Sequence, residues 1–177
     1  NELHNMKHMS ILAVSLLALV ACTPEKKQEA DYSQYVNPMI GTDFTGNTYP
    51  GAQVPFGMVQ LSPDNGLPGW DRISGYFYPD TTIAGFSHTH LSGTGAGDLY
   101  DISFMPVTRP YKEAPAPLGI YSTFSHNDEA ASAGYYRVLL KDYNINVELT
   151  ATERCGIQRY TFPEAEASVF LNLKKAI

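Results

Sequence analysis

The sequence predicts an all-β fold, an antiparallel β-sandwich, and three observations lead to this prediction. Tyr and Phe are abundant, at 12 and 8 of the 177 residues, and aromatic residues are enriched in strands. The chain also holds 14 Gly and 12 Pro, which form turns. The apolar runs between these turns are short, of unequal length and joined by long loops, which favours a sandwich over a closed barrel.

The predicted strands of the first half lie in four apolar runs bounded by Gly, Pro or Asp. They are "VPFGMVQLSP" (54–63), "SGYFYPD" (74–80), "TIAGFSHTH" (82–90) and "LYDISFMPV" (99–107). The loops that join these runs are long enough to carry function.

The second half of the chain indicates an antiparallel meander. Strand-like runs lie around residues 136–140, 147–149, 157–160 and 169–171, with breaks at "KDYN" and "PEAE". Ahead of them, "SHNDEAAS" predicts a single helical turn capped by Ser125 or Asn127. The sequence stops inside the strand pattern "FLNLKKAI", so we expect further strands to follow and the sandwich to be incomplete at its C-terminal end.

The N-terminus has the features of an export signal. A basic start at Met6, which we take as the natural start, precedes the apolar segment "SILAVSLLALVA", which is too short to span a membrane. The signal peptide is therefore predicted over 1–21. The following "LVAC" resembles the lipobox of bacterial lipoproteins, so we expect lipid on Cys22; a plain signal peptide with a chance cysteine is the alternative. The polar residues 22–34 predict a tether to a domain over 35–177.

An exported bacterial lipoprotein of this kind is expected in the periplasm or at the outer membrane, held to the membrane through the lipid on Cys22. The formal net charge of −6 disfavours a nucleic-acid partner, because an acidic chain is repelled by a phosphate backbone. Cys155 is the only other cysteine, so no disulfide is predicted within the mature chain. We expect Cys155 to be buried apolar filler in a strand, with a catalytic nucleophile as the alternative.

A conspicuous motif is "AGFSHTHLSGTGAGDLYD" (84–101), with two histidines, three alternating glycines and Asp98. A dinucleotide-binding loop needs a helix after the glycines, and a phosphate-binding P-loop needs Lys and Ser or Thr; neither follows here. His88 and His90, two residues apart on a strand, would share a face and give two ligands to a metal ion. The alternative is a pair of histidines hydrogen-bonded in a polar loop, with the glycines in turns of positive φ.

The only tryptophan, Trp70, lies between Gly69 and Asp71 in "SPDNGLPGWDRISGYFYPD". A lone tryptophan is most often core, but this segment is too polar for a core. An aromatic face beside carboxylate, amide and guanidinium groups is typical of a sugar site, because the apolar ring faces of a sugar stack while its hydroxyls form hydrogen bonds.

Three segments resemble the N-terminal domain of glycoside hydrolase family 92, the calcium-dependent exo-acting α-mannosidases. They are "YVNPMIGTDFTGNTYPGAQVPFGMVQLSPD", "GWDRISGYFYPDTTIAGFSHTHLSGTGAGDLYDISFMPV" and "VELTATERCGIQRYTFP". The resemblance extends from about Tyr35 to the end of the sequence. Its most specific motif is "GFSHTHLSGTGAGD".

The resemblance implies a β-sandwich followed by an (α/α)6 barrel, with the active site in the cleft between them and hydrolysis of mannose-containing glycans by inversion. It implies that the general acid, the general base and most calcium ligands lie in the barrel, beyond Ile177, so that this chain holds no catalytic residue or metal ligand. Trp70 matches the family's "GW" tryptophan, which packs against the leaving-group sugar. The candidate substrate-binding residues are Trp70, Asp71, His88, His90 and Asp98.

Two functions follow from these observations. One is the N-terminal domain of a lipid-anchored α-mannosidase, inactive without a missing C-terminal catalytic domain. The other is a stand-alone carbohydrate-binding or scaffold β-domain. Coding sequence that continues from Ile177 into a helical domain would favour the enzyme.

Overall fold

The computed structural model describes residues 30–93, 99–163 and 166–173. In these ranges the chain forms strands and three short 3-10 turns, the latter at Ser33–Tyr35, Trp70–Arg72 and His126–Asp128. The strands are β1 (Ala52–Gln53), β2 (Gln60–Asp64), β3 (Thr82–Ile83), β4 (Gly85–Ser87), β5 (Ser103–Thr108), β6 (Glu113–Ala114), β7 (Gly119–Ile120), β8 (Ser122–Thr123), β9 (Glu129–Ser132), β10 (Tyr135–Leu140), β11 (Ile145–Ala151), β12 (Gly156–Thr161) and β13 (Ala167–Asn172). The all-β prediction is confirmed.

Two antiparallel sheets form the domain. The first has the strand order β1-β2-β4-β5-β13 and the second the order β12-β11-β10-β9. Two small pairs, β3 with β8 and β6 with β7, complete the described topology. Strands β1 and β2 pack against β11, so the two sheets face each other as the sandwich prediction requires.

The core lies between these sheets. Strands β10 and β11 alternate buried and more exposed residues along their length, as strands with one face on a core do. The first sheet contributes Leu61, Phe86, Met105 and Val107, which are fully buried or nearly so. The second contributes Tyr136, Val138, Leu140, Ile145, Val147 and Leu149 to the same cluster.

The predicted meander is confirmed for its first three runs, since β10, β11 and β12 pair in sequence order and residues 141–144 form the first break as a turn. It is wrong for the fourth run, because β13 pairs with β5 of the first sheet. The predicted turn near Ser125 is also present, and its hydroxyl accepts a hydrogen bond from the Asn127 backbone N–H at 3.3 Å. Part of the second break, "PEAE", lies outside the described residues.

Three predictions about the elements were wrong. Residues 74–80 form turns rather than a strand, and 54–59 form the turn between β1 and β2. Cys155 is exposed because it lies in the turn between β11 and β12 instead of inside a strand. The four short strands β6 to β9 were not predicted, since strands of two to four residues carry little periodicity.

The predicted signal peptide, Cys22 and most of the tether lie outside the described residues. Among the residues that the structure does describe, no helix is both long and apolar enough to cross a membrane. Contacts within the chain define Tyr32–Ile177 as one compact unit.

Candidate functional site

Hydrogen bonds join three polar loops that flank the strands of the first sheet. The Ser74 hydroxyl donates to the Thr48 backbone oxygen at 2.9 Å, and the Tyr78 N–H donates to the Thr42 oxygen at 2.8 Å. The Gly93 N–H donates to the Asn47 oxygen at 2.7 Å. These bonds join the loop before β1, the loop after β2 and the loop after β4 into one surface.

Trp70 begins the 3-10 turn of the loop after β2. Its side chain is 59% exposed, so it is not part of the core. The residue before it, Gly69, has φ 148° and ψ 155°, a backbone conformation that side chains with a Cβ rarely adopt. Asp71 lies in the same turn and is half-buried. The loop therefore presents an indole face and a carboxylate side by side.

Arg72 ends this turn and forms a bidentate ion pair with Asp80. Its Nε lies 2.6 Å from Asp80 Oδ2 and its Nη2 lies 2.5 Å from Oδ1. The guanidinium carbon also lies 4.7 Å from the centre of the Phe77 ring. The hydrogen bond to Asp80 raises the pKa of Arg72 above its ordinary value. The ion pair thus joins two residues of the same loop.

His90 and Asp64 form a buried pair below this loop. His90 Nε2 lies 2.8 Å from Asp64 Oδ1, with side chains 0% and 5% exposed. His90 Nδ1 lies 2.7 Å from the Gln60 carbonyl oxygen, which accepts only, so Nδ1 must donate. His90 is thus hydrogen-bonded through both ring nitrogens, one to the Gln60 carbonyl and the other to the Asp64 carboxylate. Ser87 and Ser103 donate further hydrogen bonds to that carboxylate, at 3.1 and 3.4 Å.

His88 faces different partners. Its Nδ1 lies 3.0 Å from the Ile102 carbonyl oxygen, and its ring meets Phe104 edge to face with centroids 5.6 Å apart. The two histidines follow β4 rather than lie in it, so the shared face expected for a strand does not form. Each is hydrogen-bonded to a carbonyl, as the polar-loop alternative expects. Gly93 has φ +94°, whereas the later glycines of the motif and Asp98 lie outside the described residues.

A second buried carboxylate supports the other side of the Trp70 loop. The Glu129 side chain is fully buried and accepts hydrogen bonds from the hydroxyls of Tyr76 at 3.0 Å and Tyr136 at 2.5 Å. His126 Nδ1 lies 2.7 Å from Glu129, and the His126 ring stacks on Tyr78 with centroids 3.9 Å apart. Burial, followed by the charge of Glu129, raises the pKa of both Tyr76 and Tyr136, so the two phenols remain protonated donors.

Asn47 is the one side chain of these three loops whose buried polar atoms are unsatisfied among the described residues. Both its Oδ1 and its Nδ2 lack a hydrogen-bond partner there, and its backbone has φ +49°. A buried amide without partners is costly. Its position beside Gly93 makes it a candidate polar group of the surface that the sequence analysis did not single out.

The described residues offer no fit for a calcium ion. They contain no group of three or more His, Cys, Asp or Glu side chains that could hold a metal, whereas calcium takes about six to eight oxygens. The buried carboxylates of Asp64, Asp80 and Glu129 are already bonded to His90, Arg72 and the tyrosine hydroxyls. No step of the chemistry is therefore assigned to calcium on these residues.

The structure brings some of the predicted site residues together and separates others. Trp70 and Asp71 share one exposed turn, while His90 is buried beneath it and His88 points towards β5. A Cβ placed on Gly75, in the Trp70 loop, would lie 2.9 Å from Asp64 Oδ1 and 3.0 Å from the His90 ring. His90 therefore supports the loop from below and has no exposed surface to offer a ligand.

Sequence reasoning missed the partners that organise this surface. Asp64 and Asp80 were not among the predicted site residues, but each lies buried in an ion pair. The pair of Asp80 with Arg72 forms within one loop, and the pair of Asp64 with His90 forms between residues that the pairing of β2 with β4 brings together. Only the ability of Asp, Arg and His to pair was visible in the sequence.

Comparison with known proteins identifies the relatives of this domain. The family model described as the glycosyl hydrolase family 92 N-terminal domain matches residues 35–177. A secreted glycosidase of Arthroderma benhamiae, itself uncharacterized, is 26% identical to the chain; the match covers 92% of this chain and 21% of the relative.

Solved structures of family 92 enzymes are also similar to this chain. A family 92 α-mannosidase from Bacteroides thetaiotaomicron, determined with mannoimidazole, is 45% identical and superposes with a TM-score of 0.76 over 81% of this chain and 20% of that one. An inverting family 92 mannosidase from the same species is 31% identical, with a TM-score of 0.66 over 82% and 20% of the two chains. This chain thus spans about a fifth of the length of the relatives that it matches.

Proposed function

Because the chain belongs to the glycosyl hydrolase family 92 N-terminal domain family, we propose that it is the N-terminal domain of a lipid-anchored α-mannosidase. The enzyme would hydrolyse terminal α-mannosides of glycans with inversion. This domain would supply sugar-binding loops to an active site shared with a downstream catalytic domain. The α-mannosidase relative at 45% identity supports the substrate class, and the inverting relative supports the mechanism.

The observation that carries this proposal is the exposed indole of Trp70 in a polar loop. An exposed aromatic ring on a fixed backbone offers one flat apolar face, against which the C–H face of a sugar stacks. Asp71 in the same turn offers carboxylate oxygens that accept hydrogen bonds from sugar hydroxyls. Trp70 would bind the leaving-group sugar, and in doing so would orient the glycosidic bond.

In the proposal, the chemistry itself depends on groups from a downstream domain. Inverting hydrolysis uses two carboxyl groups about 6.5–9.5 Å apart with a water between them. The buried carboxylates near Trp70 are engaged by His90 and Arg72, so neither is available as acid or base. In the proposal the catalytic carboxylates and the calcium ligands belong to the downstream domain, and this domain binds and orients the sugar.

Replacing Trp70 with alanine is expected to weaken catalysis without unfolding the domain. Loss of one stacking face should cost about 1–3 kcal/mol in kcat/KM, because aromatic contacts in binding sites are of that size. Steady-state kinetics of the complete enzyme on an α-mannoside measure this effect. Trp70→Phe, which keeps a flat ring, should recover part of the lost activity.

Tyr32→Ala is a suitable control for the Trp70 substitution, because Tyr32 is also an exposed aromatic residue but lies outside the three loops. It should leave kcat/KM unchanged. If Trp70→Ala lowers the melting temperature in proportion to the activity, Trp70 is a structural residue and its assignment to the sugar site is wrong.

Cys22 is expected to carry lipid when the protein is made in a bacterial host with lipoprotein processing. The basis is "LVAC" directly after the apolar segment. Mass spectrometry of detergent-extracted protein should find a mature N-terminus at Cys22 with acyl mass added, and Cys22→Ser should release the protein from the membrane. A mature N-terminus beyond Cys22 would contradict the lipid anchor and leave a plain exported protein.

A further inference from the structure

The Trp70 side chain has little packing of its own to fix its direction. Its indole is more than half exposed, and the turn that carries it is only three residues long, without a side-chain cap at Gly69. Isolated turns of this length are weakly stable because they form few hydrogen bonds. The direction of the indole therefore depends on the contacts that hold the turn itself.

The ion pair of Arg72 and Asp80 lies directly behind the turn. Arg72 Nε donates to Asp80 Oδ2 at 2.6 Å and Nη2 donates to Oδ1 at 2.5 Å, and such a bidentate pair fixes direction as well as distance. The Arg72 N–H donates to Gly69 at 3.0 Å and the Arg72 oxygen accepts from Gly75 at 2.9 Å. A Cβ on Gly69 would approach Arg72 Nη1 to 3.3 Å, so the glycine leaves room for the guanidinium.

The carboxylate end of this pair is buried and lies just before a strand pair. Asp80 is 8% exposed, and its N–H donates to the Phe77 oxygen at 3.0 Å. Two residues later β3 begins, which pairs with β8. The intervening Tyr78 is held by His126, whose Nε2 donates to the Tyr78 oxygen at 2.7 Å. Asp80 therefore connects the turn that carries Trp70 to the start of β3.

We propose that Arg72 and Asp80 are positioning residues that hold the Trp70 indole in its sugar-facing orientation. The pair acts through Trp70 and does not itself contact the sugar. This inference rests on the proposed role of Trp70 in sugar binding, but the orientation of the indole can be measured without any sugar.

The first test uses the fluorescence of this chain, in which Trp70 is the only tryptophan. Asp80→Asn removes the negative charge of the pair, and Arg72→Lys removes the second of its two hydrogen bonds. Each should therefore lower the fluorescence anisotropy of Trp70 and increase the quenching of Trp70 by acrylamide.

The matched control is Arg159→Lys, which breaks another bidentate ion pair. In that pair Arg159 on β12 donates two hydrogen bonds to Glu148 on β11, both at 2.6 Å. This substitution should leave both the anisotropy and the quenching unchanged. Unchanged anisotropy in folded Arg72→Lys protein would overturn the proposal. Should Asp80→Asn fail to fold, Arg72→Lys decides.

The second test is a double-mutant cycle in the complete enzyme. Asp80→Asn alone should lower kcat/KM about tenfold, because misplacing a binding group has effects of that order or larger. In a Trp70→Ala background it should have no further effect, since the residue through which it acts is gone. Equal effects in both backgrounds would overturn the proposal. If Trp70→Ala has no effect on activity, the proposed function of Trp70 fails, while the anisotropy result still decides whether the pair orients the indole.

Discussion

The purified 177-residue chain is expected to release no mannose from any α-mannoside, with or without added calcium. An inverting hydrolase must hold an acid above the glycosidic oxygen and a base behind a water on the opposite side of the sugar. The candidate surface described here presents one indole face and the Asp71 carboxylate from a single turn, and its buried carboxylates are occupied by Arg72 and His90. A surface on one side of a cleft can bind a sugar but cannot place catalytic groups on both sides of that sugar.

The measurement is α-mannoside hydrolysis by monodisperse chain, with a chelator control. Adding a separately produced downstream domain should restore calcium-dependent turnover if the two share an active site. Chelator-sensitive turnover by this chain alone would contradict the placement of the catalytic carboxylates elsewhere. Sugar binding by the chain without any turnover, even after the downstream domain is added, would favour the alternative of a carbohydrate-binding module.

The fold was predictable where one side of a strand faces the core. In β10 and β11 the apolar residues recur at every second position, so both strands and the turn between them follow from the sequence. The run at 74–80 is as aromatic but forms no strand, because its backbone groups bond to turns, loops and side chains instead of to a neighbouring strand. The Phe77 N–H, for example, donates to the Asn65 side chain at 2.5 Å. Such bonds join residues distant in sequence and have no periodic signal.

The candidate site could be predicted only in part, because the residues that support Trp70 are also distant from one another in sequence. Trp70 could be singled out because its neighbours are too polar for a core. The residues that support it could not, since Asp64 and His90 are 26 positions apart and meet only because β2 pairs with β4 in one register, with Asp64 opposite Gly85. A shift of that register by one residue would turn Asp64 to the other face of the sheet.

Replacing His90 with alanine is expected to destabilise the domain by about 3–5 kcal/mol, because it leaves the carboxylate of Asp64 buried without its cationic or proton-donating partner. Both side chains are almost fully buried, at 0% and 5% exposure. For a domain of this size the loss corresponds to a fall of about 6–20 °C in melting temperature. Thermal unfolding followed by circular dichroism measures it.

The decisive comparison is a cycle with Asp64→Asn, which removes the charge but keeps the shape of the side chain. The double variant Asp64→Asn with His90→Ala should be less destabilised than the sum of the two single variants, since no buried charge is left in it. Arg159→Ala serves as the control, because that residue's ion pair is largely exposed and such pairs contribute about 1 kcal/mol or less. If His90→Ala lowers the free energy of unfolding by no more than Arg159→Ala does, the buried pair of His90 and Asp64 does not support the Trp70 loop. The loop would then depend for its support on the ion pair of Arg72 and Asp80 and on its contacts with Glu129 and His126.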